Sequence, residues 1–111
     1  MLGIDVVSIS RIKNVLQRNP EVANKIFTSQ ERGLSFRQLA GNFAAKEALF
    51  KAMQSQSIFN YQSVSVLRDS SGKPQFEFVD DLLKYFSDKP VALSITNDSD
   101  LSIAVVLINN N

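Results

Sequence analysis

The run Asn42-Phe43-Ala44-Ala45-Lys46-Glu47-Ala48-Leu49-Phe50-Lys51-Ala52 constrains this chain most, because it sets one carboxylate and two ammonium groups into a helix that is otherwise apolar nearly all round. At about 100° per residue, Leu39, Phe43, Phe50 and Met53 fall on one large apolar stripe, while Ala44, Ala45, Ala48 and Ala52 form an opposed face of small side chains. A helix with two apolar faces belongs at the centre of a fold, and its small-residue face lets a second element approach closely. Charges in such a helix need partners or a task.

What those charges can do is narrowed by what the chain lacks. It has no cysteine and no histidine, which excludes Cys nucleophiles, Ser-His-Asp triads, His general bases and zinc sites built on nitrogen and sulfur ligands. Any chemistry must run on carboxylates, lysines, hydroxyls or an oxygen-liganded metal. The chain is 44% hydrophobic and 21% charged with a net charge of +1, an ordinary globular balance without the footprint of nucleic-acid or membrane binding. At 111 residues a single domain, 1–111, with one core is expected. The start Met1-Leu2-Gly3-Ile4-Asp5 has neither a basic n-region nor an apolar h-region, and no apolar run approaches membrane-spanning length. With the absence of cysteine, this predicts a soluble, cytoplasmic protein.

Leu2 to Val7 reads as a short buried strand, with Asp5 on the face opposite Leu2, Ile4 and Val6. Ser8 or Ser10 caps a helix through about Arg18, with Ile9, Ile12, Val15 and Leu16 at helical spacing. Pro20 resets the chain, and Thr28-Ser29-Gln30-Glu31 has the form of a capping box, which predicts a short helix there. A longer helix from about Arg37 to Ser55 carries the opening run. Ser63–Arg68 and Gln75–Phe78 alternate around the turn Asp69-Ser70-Ser71-Gly72-Lys73-Pro74 and predict a hairpin. Asp80–Phe86 reads as a helix with Leu82, Leu83 and Phe86 inward. Val91–Thr96 and Leu101–Ile108 then form a second hairpin around Asn97-Asp98-Ser99-Asp100, before a frayed tail at Asn109-Asn110-Asn111. The order β-α-α-α-β-β-α-β-β indicates an α+β fold, a mainly antiparallel sheet packed with helices.

Asp is disfavoured inside an apolar strand. Asp5 is either solvated at a sheet edge or capping the next helix, or else it is paired, hydrogen-bonded or metal-bound. Glu47 and Lys51 stand i, i+4 with Glu first, the favoured orientation for an exposed ion pair. Lys46, beside Phe43 and Phe50, can snorkel its stem across the core edge. Joined, Asp5 and Glu47 offer two hard oxygen ligands from different elements with lysines nearby, a set that suits Mg²⁺ bridging a phosphorylated substrate. Lys73 in Gly72-Lys73-Pro74 either meets a phosphate or faces solvent; the spacing is not that of a Walker loop. Arg11, Lys13, Arg18 and Lys25 make the first third locally basic, which can attract an acidic protein.

These pieces together resemble the small bacterial 4′-phosphopantetheinyl transferases, the holo-acyl-carrier-protein synthase family, over essentially the whole chain. The resemblance is carried by Gly3-Ile4-Asp5-Val6-Val7 with Ile9 and Arg11-Ile12, by Phe27-Thr28 with Glu31, by Phe43-Ala44-Ala45-Lys46-Glu47-Ala48 with Lys51-Ala52, by Gly72-Lys73-Pro74 and by Ser94-Ile95-Thr96. It implies a 4′-phosphopantetheinyl transferase-like fold and transfer of phosphopantetheine from coenzyme A to a serine of apo-acyl carrier protein, releasing adenosine 3′,5′-bisphosphate. By that resemblance Asp5 and Glu47 hold Mg²⁺ against the pyrophosphate, Lys51 neutralises charge on the phosphate, and Glu47 accepts the serine proton, directly or through a water. Lys46, Lys51, Lys73, Pro74, Ser94 and Thr96 then bind coenzyme A, Arg11 receives the acidic carrier protein, and the chain forms a homotrimer with sites shared between subunits. Three positions depart from the family: Asn42 replaces an arginine expected to contact phosphate, Met53–Ser57 replaces a Gly-Thr-Gly turn, and Asn97 replaces a histidine. The competing readings are a non-catalytic carrier-protein or nucleotide-binding module on the same scaffold, and a Mg²⁺-dependent nucleotide pyrophosphatase.

Overall fold

In the computed structural model, which describes residues 1–109, the small-residue face of the central helix governs the packing. This helix, α3 (Phe36–Ala52), buries Ala44, Ala45, Ala48 and Ala52 completely or nearly so against a three-stranded antiparallel sheet of order β1-β5-β4. The strands are β1 (Leu2–Ser8), β4 (Val91–Asp98) and β5 (Leu101–Ile108). The approach is so close that a Cβ on Gly3 would stand 1.9 Å from the carbonyl oxygen of Ala48. Only glycine fits that point of β1. On its other side α3 packs Leu39 and Phe43 with Leu16 and Phe27, joining α1 (Ile9–Arg18) and α2 (Pro20–Ile26) in a second cluster.

The remaining elements close the larger core. After a 3-10 turn at Tyr61–Ser63, β2 (Val64–Arg68) and β3 (Pro74–Phe78) form a separate antiparallel hairpin, followed by α4 (Asp80–Tyr85). Val64, Val66, Leu82 and Phe86 join the alanine face from these elements. The architecture is therefore α+β with two antiparallel sheets, in the expected order of elements.

Several expectations are corrected. The helix placed at Thr28 does not form, because Glu31 turns its carboxylate inward; the second helix lies at Pro20–Ile26 instead, with Pro20 at its first turn, where a missing N–H costs nothing. Leu83 is exposed on α4, one position past the buried Leu82. The apolar face of β1 points outward, and Gly3, Asp5 and Val7 face α3. Asn109 is tied down, its N–H donating to the Pro90 carbonyl at 3.0 Å; Asn110 and Asn111 of the expected tail lie outside the described residues. At Met53–Ser57 the backbone keeps left-handed geometry without glycine, with φ of 58° at both Gln54 and Ser55.

Candidate active site

The alternation of β1 places Asp5 on its inner face, opposite Ala104 of β5, and α3 crosses that face with Glu47 and Lys51 one turn apart. The expected Glu47–Lys51 pair on the helix surface gives way to two contacts made between elements. Lys51 donates to Asp5 Oδ1 at 2.9 Å and to the Ile4 carbonyl at 3.1 Å. Glu47 Oε1 accepts the hydroxyl proton of Tyr61, which reaches it from the 3-10 turn. Burial, then Glu47, then Asp5 push the Tyr61 phenol above its ordinary value, so both carboxylates act on this one hydroxyl and it stays a donor. A cleft of about 470 Å³, lined by Ile4, Asp5, Val6, Lys51 and Ile103, opens beside the free edge of β1.

Lys46 is placed differently from its expected contact with coenzyme A. It is wholly buried, with Nζ donating to Glu31 Oε1 at 2.6 Å and to the carbonyls of Ile26 and Tyr61 at 2.7 and 3.1 Å. Burial lowers the Lys46 pKa, and the adjacent Glu31 opposes that shift. Glu31 is equally enclosed: its other oxygen accepts from Asn42 Nδ2 at 2.9 Å and from the Val66 N–H at 3.1 Å. Asn42 in turn accepts from Arg68 Nη1 at 2.9 Å. The position expected to lack a phosphate contact thus faces the interior and serves a buried polar network.

The other expected residues are dispersed. Lys73 and Pro74 line a second cleft of about 250 Å³ with Gln75, Phe76 and residues 91–93 of β4. Ser94 and Thr96 lie exposed on the outer face of the three-stranded sheet, opposite Val105 and Ile103, and neither lines the cleft at Asp5. Arg11 borders a depression of about 410 Å³ on α1 with Ser10, Asn14, Val15, Arg18 and Asn19. The start of α1 is held in place by Asp100, whose carboxylate accepts from Ser8 Oγ, Ser10 Oγ and the Ser10 N–H at 2.7, 2.7 and 2.9 Å.

Tyr61 was not singled out by sequence. Its only local signal is the preceding Asn60, which caps the 3-10 turn by accepting from the Gln62 N–H at 2.9 Å.

Two carboxylates from β1 and α3, a lysine on one and a phenol on the other, fit a Mg²⁺ ion that completes its shell with substrate phosphates, since that ion takes only one or two protein carboxylates in such sites. Among the described residues no group of three or more acidic, His or Cys side chains is placed to hold a metal.

Comparison with known proteins identifies the family of this fold. A family model described as the 4′-phosphopantetheinyl transferase superfamily matches residues 1–106. The holo-[acyl-carrier-protein] synthase of Clostridium botulinum (strain Eklund 17B / Type B) is 36% identical over 116 residues, covering 96% of this chain and 94% of that protein. The Helicobacter pylori holo-[acyl-carrier-protein] synthase, solved in complex with coenzyme A, superposes with a TM-score of 0.88 at 28% identity, over 98% of this chain and all of that one. The Bacillus anthracis synthase, solved with coenzyme A (3′,5′-ADP), gives a TM-score of 0.81 at 26% identity, over 99% of this chain and 96% of that one. The chain belongs to the 4′-phosphopantetheinyl transferase superfamily, in its holo-[acyl-carrier-protein] synthase family.

Proposed function

We propose that this protein transfers the 4′-phosphopantetheine group from coenzyme A to a serine of apo-acyl carrier protein in the cytoplasm, releasing adenosine 3′,5′-bisphosphate. The observation that carries the reading is the contact of Asp5 with Lys51 at a cleft, one helical turn along α3 from Glu47, in a chain whose relatives are holo-[acyl-carrier-protein] synthases. Asp5 and Glu47 would hold Mg²⁺, which when bound would supply charge neutralisation on the pyrophosphate.

The chain's own residues do the rest. Phosphoryl transfer asks mainly for positioning and for charge to be met where it develops. The serine hydroxyl oxygen forms the new bond to phosphorus, and the bond from that phosphorus to the nucleotide phosphate breaks with its electron pair. The serine proton passes to the Glu47 carboxylate directly or through a water, a carboxylate being the natural base in a site without histidine. Lys51 neutralises charge on the phosphate. Its present contact with Asp5 is easily surrendered, since the Lys51 side chain is 53% exposed and exposed pairs are worth only about 0–1 kcal/mol. Arg11, with Arg18 beside it on α1, offers a cationic face to the acidic carrier protein.

We further propose a homotrimer. The outer face of the three-stranded sheet presents Leu2 beside Leu107, Ile4 beside Val105 and Val6 beside Ile103, with Leu2 67%, Ile4 57% and Leu107 50% exposed. An exposed apolar face of this kind is the ordinary mark of a protein contact. Copies of the same chain are the occupants favoured here, because Ser94 and Thr96 share that face. Subunit contact would carry these residues, and Lys73 and Pro74 near them, toward a neighbour's cleft and complete a coenzyme A site that one chain leaves divided.

The test is incubation with coenzyme A, Mg²⁺ and apo-acyl carrier protein, followed by intact-mass measurement. The carrier should gain one phosphopantetheine on a single serine. Glu47→Gln should abolish the gain, by 10²-fold or more in rate as an order of magnitude for a lost general base, with an unchanged circular dichroism spectrum. Full rate in that variant would remove Glu47 from the mechanism.

A further inference from the structure

Adjacent residues of α3 grip Tyr61 at its carbonyl and its phenol: Lys46 donates to the carbonyl at 3.1 Å, and Glu47 accepts the hydroxyl proton. The segment around it is fixed independently. The Gln62 side-chain amide donates to the carbonyls of Asn24, Lys25 and Phe27 at 2.9, 3.2 and 3.0 Å. The Phe59 ring stands edge-on to Tyr61 with centroids 5.1 Å apart, and Phe59 packs in turn on Phe50 of α3 at 5.1 Å. The phenol is therefore built into the fold and does not depend on solvent to find Glu47.

Its contact selects one oxygen of the carboxylate. The terminal torsion of a glutamate is broad and roughly two-fold, so an unrestrained carboxylate exchanges its oxygens freely. With Oε1 held by the phenol, Oε2 is left as the oxygen that can face a cation shared with Asp5. Carboxylate ligands held by outer hydrogen bonds of this sort lose affinity when those bonds are cut.

We propose that Tyr61 is a positioning residue for Glu47: its hydroxyl fixes one carboxylate oxygen and presents the other to the cation. This rests on the reading of Asp5 and Glu47 as the cation site. It gives the phenol a task, alongside the contact that Lys46, next to Glu47 in sequence, makes to the Tyr61 carbonyl. One helical residue sets the backbone of the phenol, and the next receives its hydroxyl.

The test is Mn²⁺ titration in the presence of coenzyme A, with free Mn²⁺ followed by electron paramagnetic resonance, for wild type, Tyr61→Phe, Glu47→Gln and the double variant. Tyr61→Phe keeps the ring against Phe59, so its circular dichroism spectrum should match wild type, with the melting temperature lowered only by the loss of the hydroxyl's bond to Glu47. Its Mn²⁺ affinity should fall by about tenfold or more. In the Glu47→Gln background the same change should produce no further loss, because Tyr61 acts through Glu47. Wild-type affinity in Tyr61→Phe, with affinity lost in Glu47→Gln, overturns the role of Tyr61 alone. Additive losses in the double variant overturn it as well. Wild-type affinity in Glu47→Gln overturns the cation site and this inference with it.

Discussion

Lys46 and Glu47 are neighbours in the chain, but the helix turns them about 100° apart and sends them to opposite environments. Lys46 meets Glu31 in the interior with both side chains at 0% exposure, so removing one partner strands a buried charge. Lys46→Met should therefore cost about 3–5 kcal/mol in chemical denaturation, and Glu31→Gln with Lys46→Met should cost less than the two single changes added together. Additivity would mean that the pair is not coupled in solution. Glu47 shapes the titration of Tyr61. A phenol raised by burial and by Glu47 favours its neutral form in the folded state. Its contribution to stability is thus complete below about pH 10, the unfolded value, and is lost as pH rises through the higher folded value. The chain has two tyrosines, so a Tyr85→Phe variant isolates Tyr61. Its tyrosinate absorbance at 295 nm should be nearly absent at pH 10 and grow only above it; an ordinary transition centred there would show the Glu47 contact to be unformed. Asp5, Glu47 and Lys51 stand out in the sequence as candidates because charge in an apolar strand and an apolar helix is conspicuous. Lys46 looked the same by that test. Its partner Glu31 lies 15 residues upstream, and no local pattern states that the two will meet.

At the scale of elements, periodicity was a good guide wherever a segment's local signal and its tertiary surroundings agreed. The two hairpins and the long helix follow their patterns, and α1 is capped by Ser8, whose hydroxyl accepts from the Arg11 N–H. The disagreement falls between Asn19 and Ser35. Pro20 reads as a break, yet it opens α2. Thr28 and Glu31 form half of a capping box, with the Thr28 N–H donating to Glu31 Oε1 at 3.0 Å, but the same carboxylate must also serve Lys46, Asn42 and Val66, and no helix follows. The capping box that does open a helix is Ser35 with Gln38, at the start of α3. The far end of α3 supplies a prediction. The Ser55 N–H bonds to the Phe50 carbonyl and the Gln54 N–H to the Lys51 carbonyl, at 3.0 and 2.9 Å, so Gln54 occupies the left-handed position of a Schellman motif with φ of 58°. Glycine relieves the strain a side chain suffers there, which is about 1 kcal/mol. Gln54→Gly should raise the melting temperature by about 4 °C in calorimetry. A fall would show that the exposed Gln54 side chain stabilises the helix end by a contact of its own.

For the whole molecule, the decisive difference from the sequence reading is the direction in which β1 faces. Alternation alone cannot say which side of a strand meets the core, and Leu2, Ile4 and Val6 look like the inner set. The helix decides otherwise: α3 comes so close to β1 that glycine is required at position 3, which makes the Gly3, Asp5 and Val7 side the inner one. One choice then has two consequences. It brings Asp5 under α3 beside Lys51, and it leaves an apolar face on the outside, running through β5 at Leu101, Val105 and Leu107. The arrangement that builds the candidate site therefore also creates the surface on which the proposed trimer rests. Leu107 lies at the end of that face away from Asp5, paired with Leu2 across the sheet, so a charge there should break assembly without touching the carboxylates. By size-exclusion chromatography with light scattering, the wild-type chain should elute at three times its chain mass and Leu107→Glu at the mass of one chain. The monomeric variant should retain its fold by circular dichroism yet transfer phosphopantetheine far more slowly, because Ser94 and Thr96 no longer reach a neighbour's cleft. A wild-type chain that is monomeric and fully active would instead place the whole coenzyme A site within one subunit.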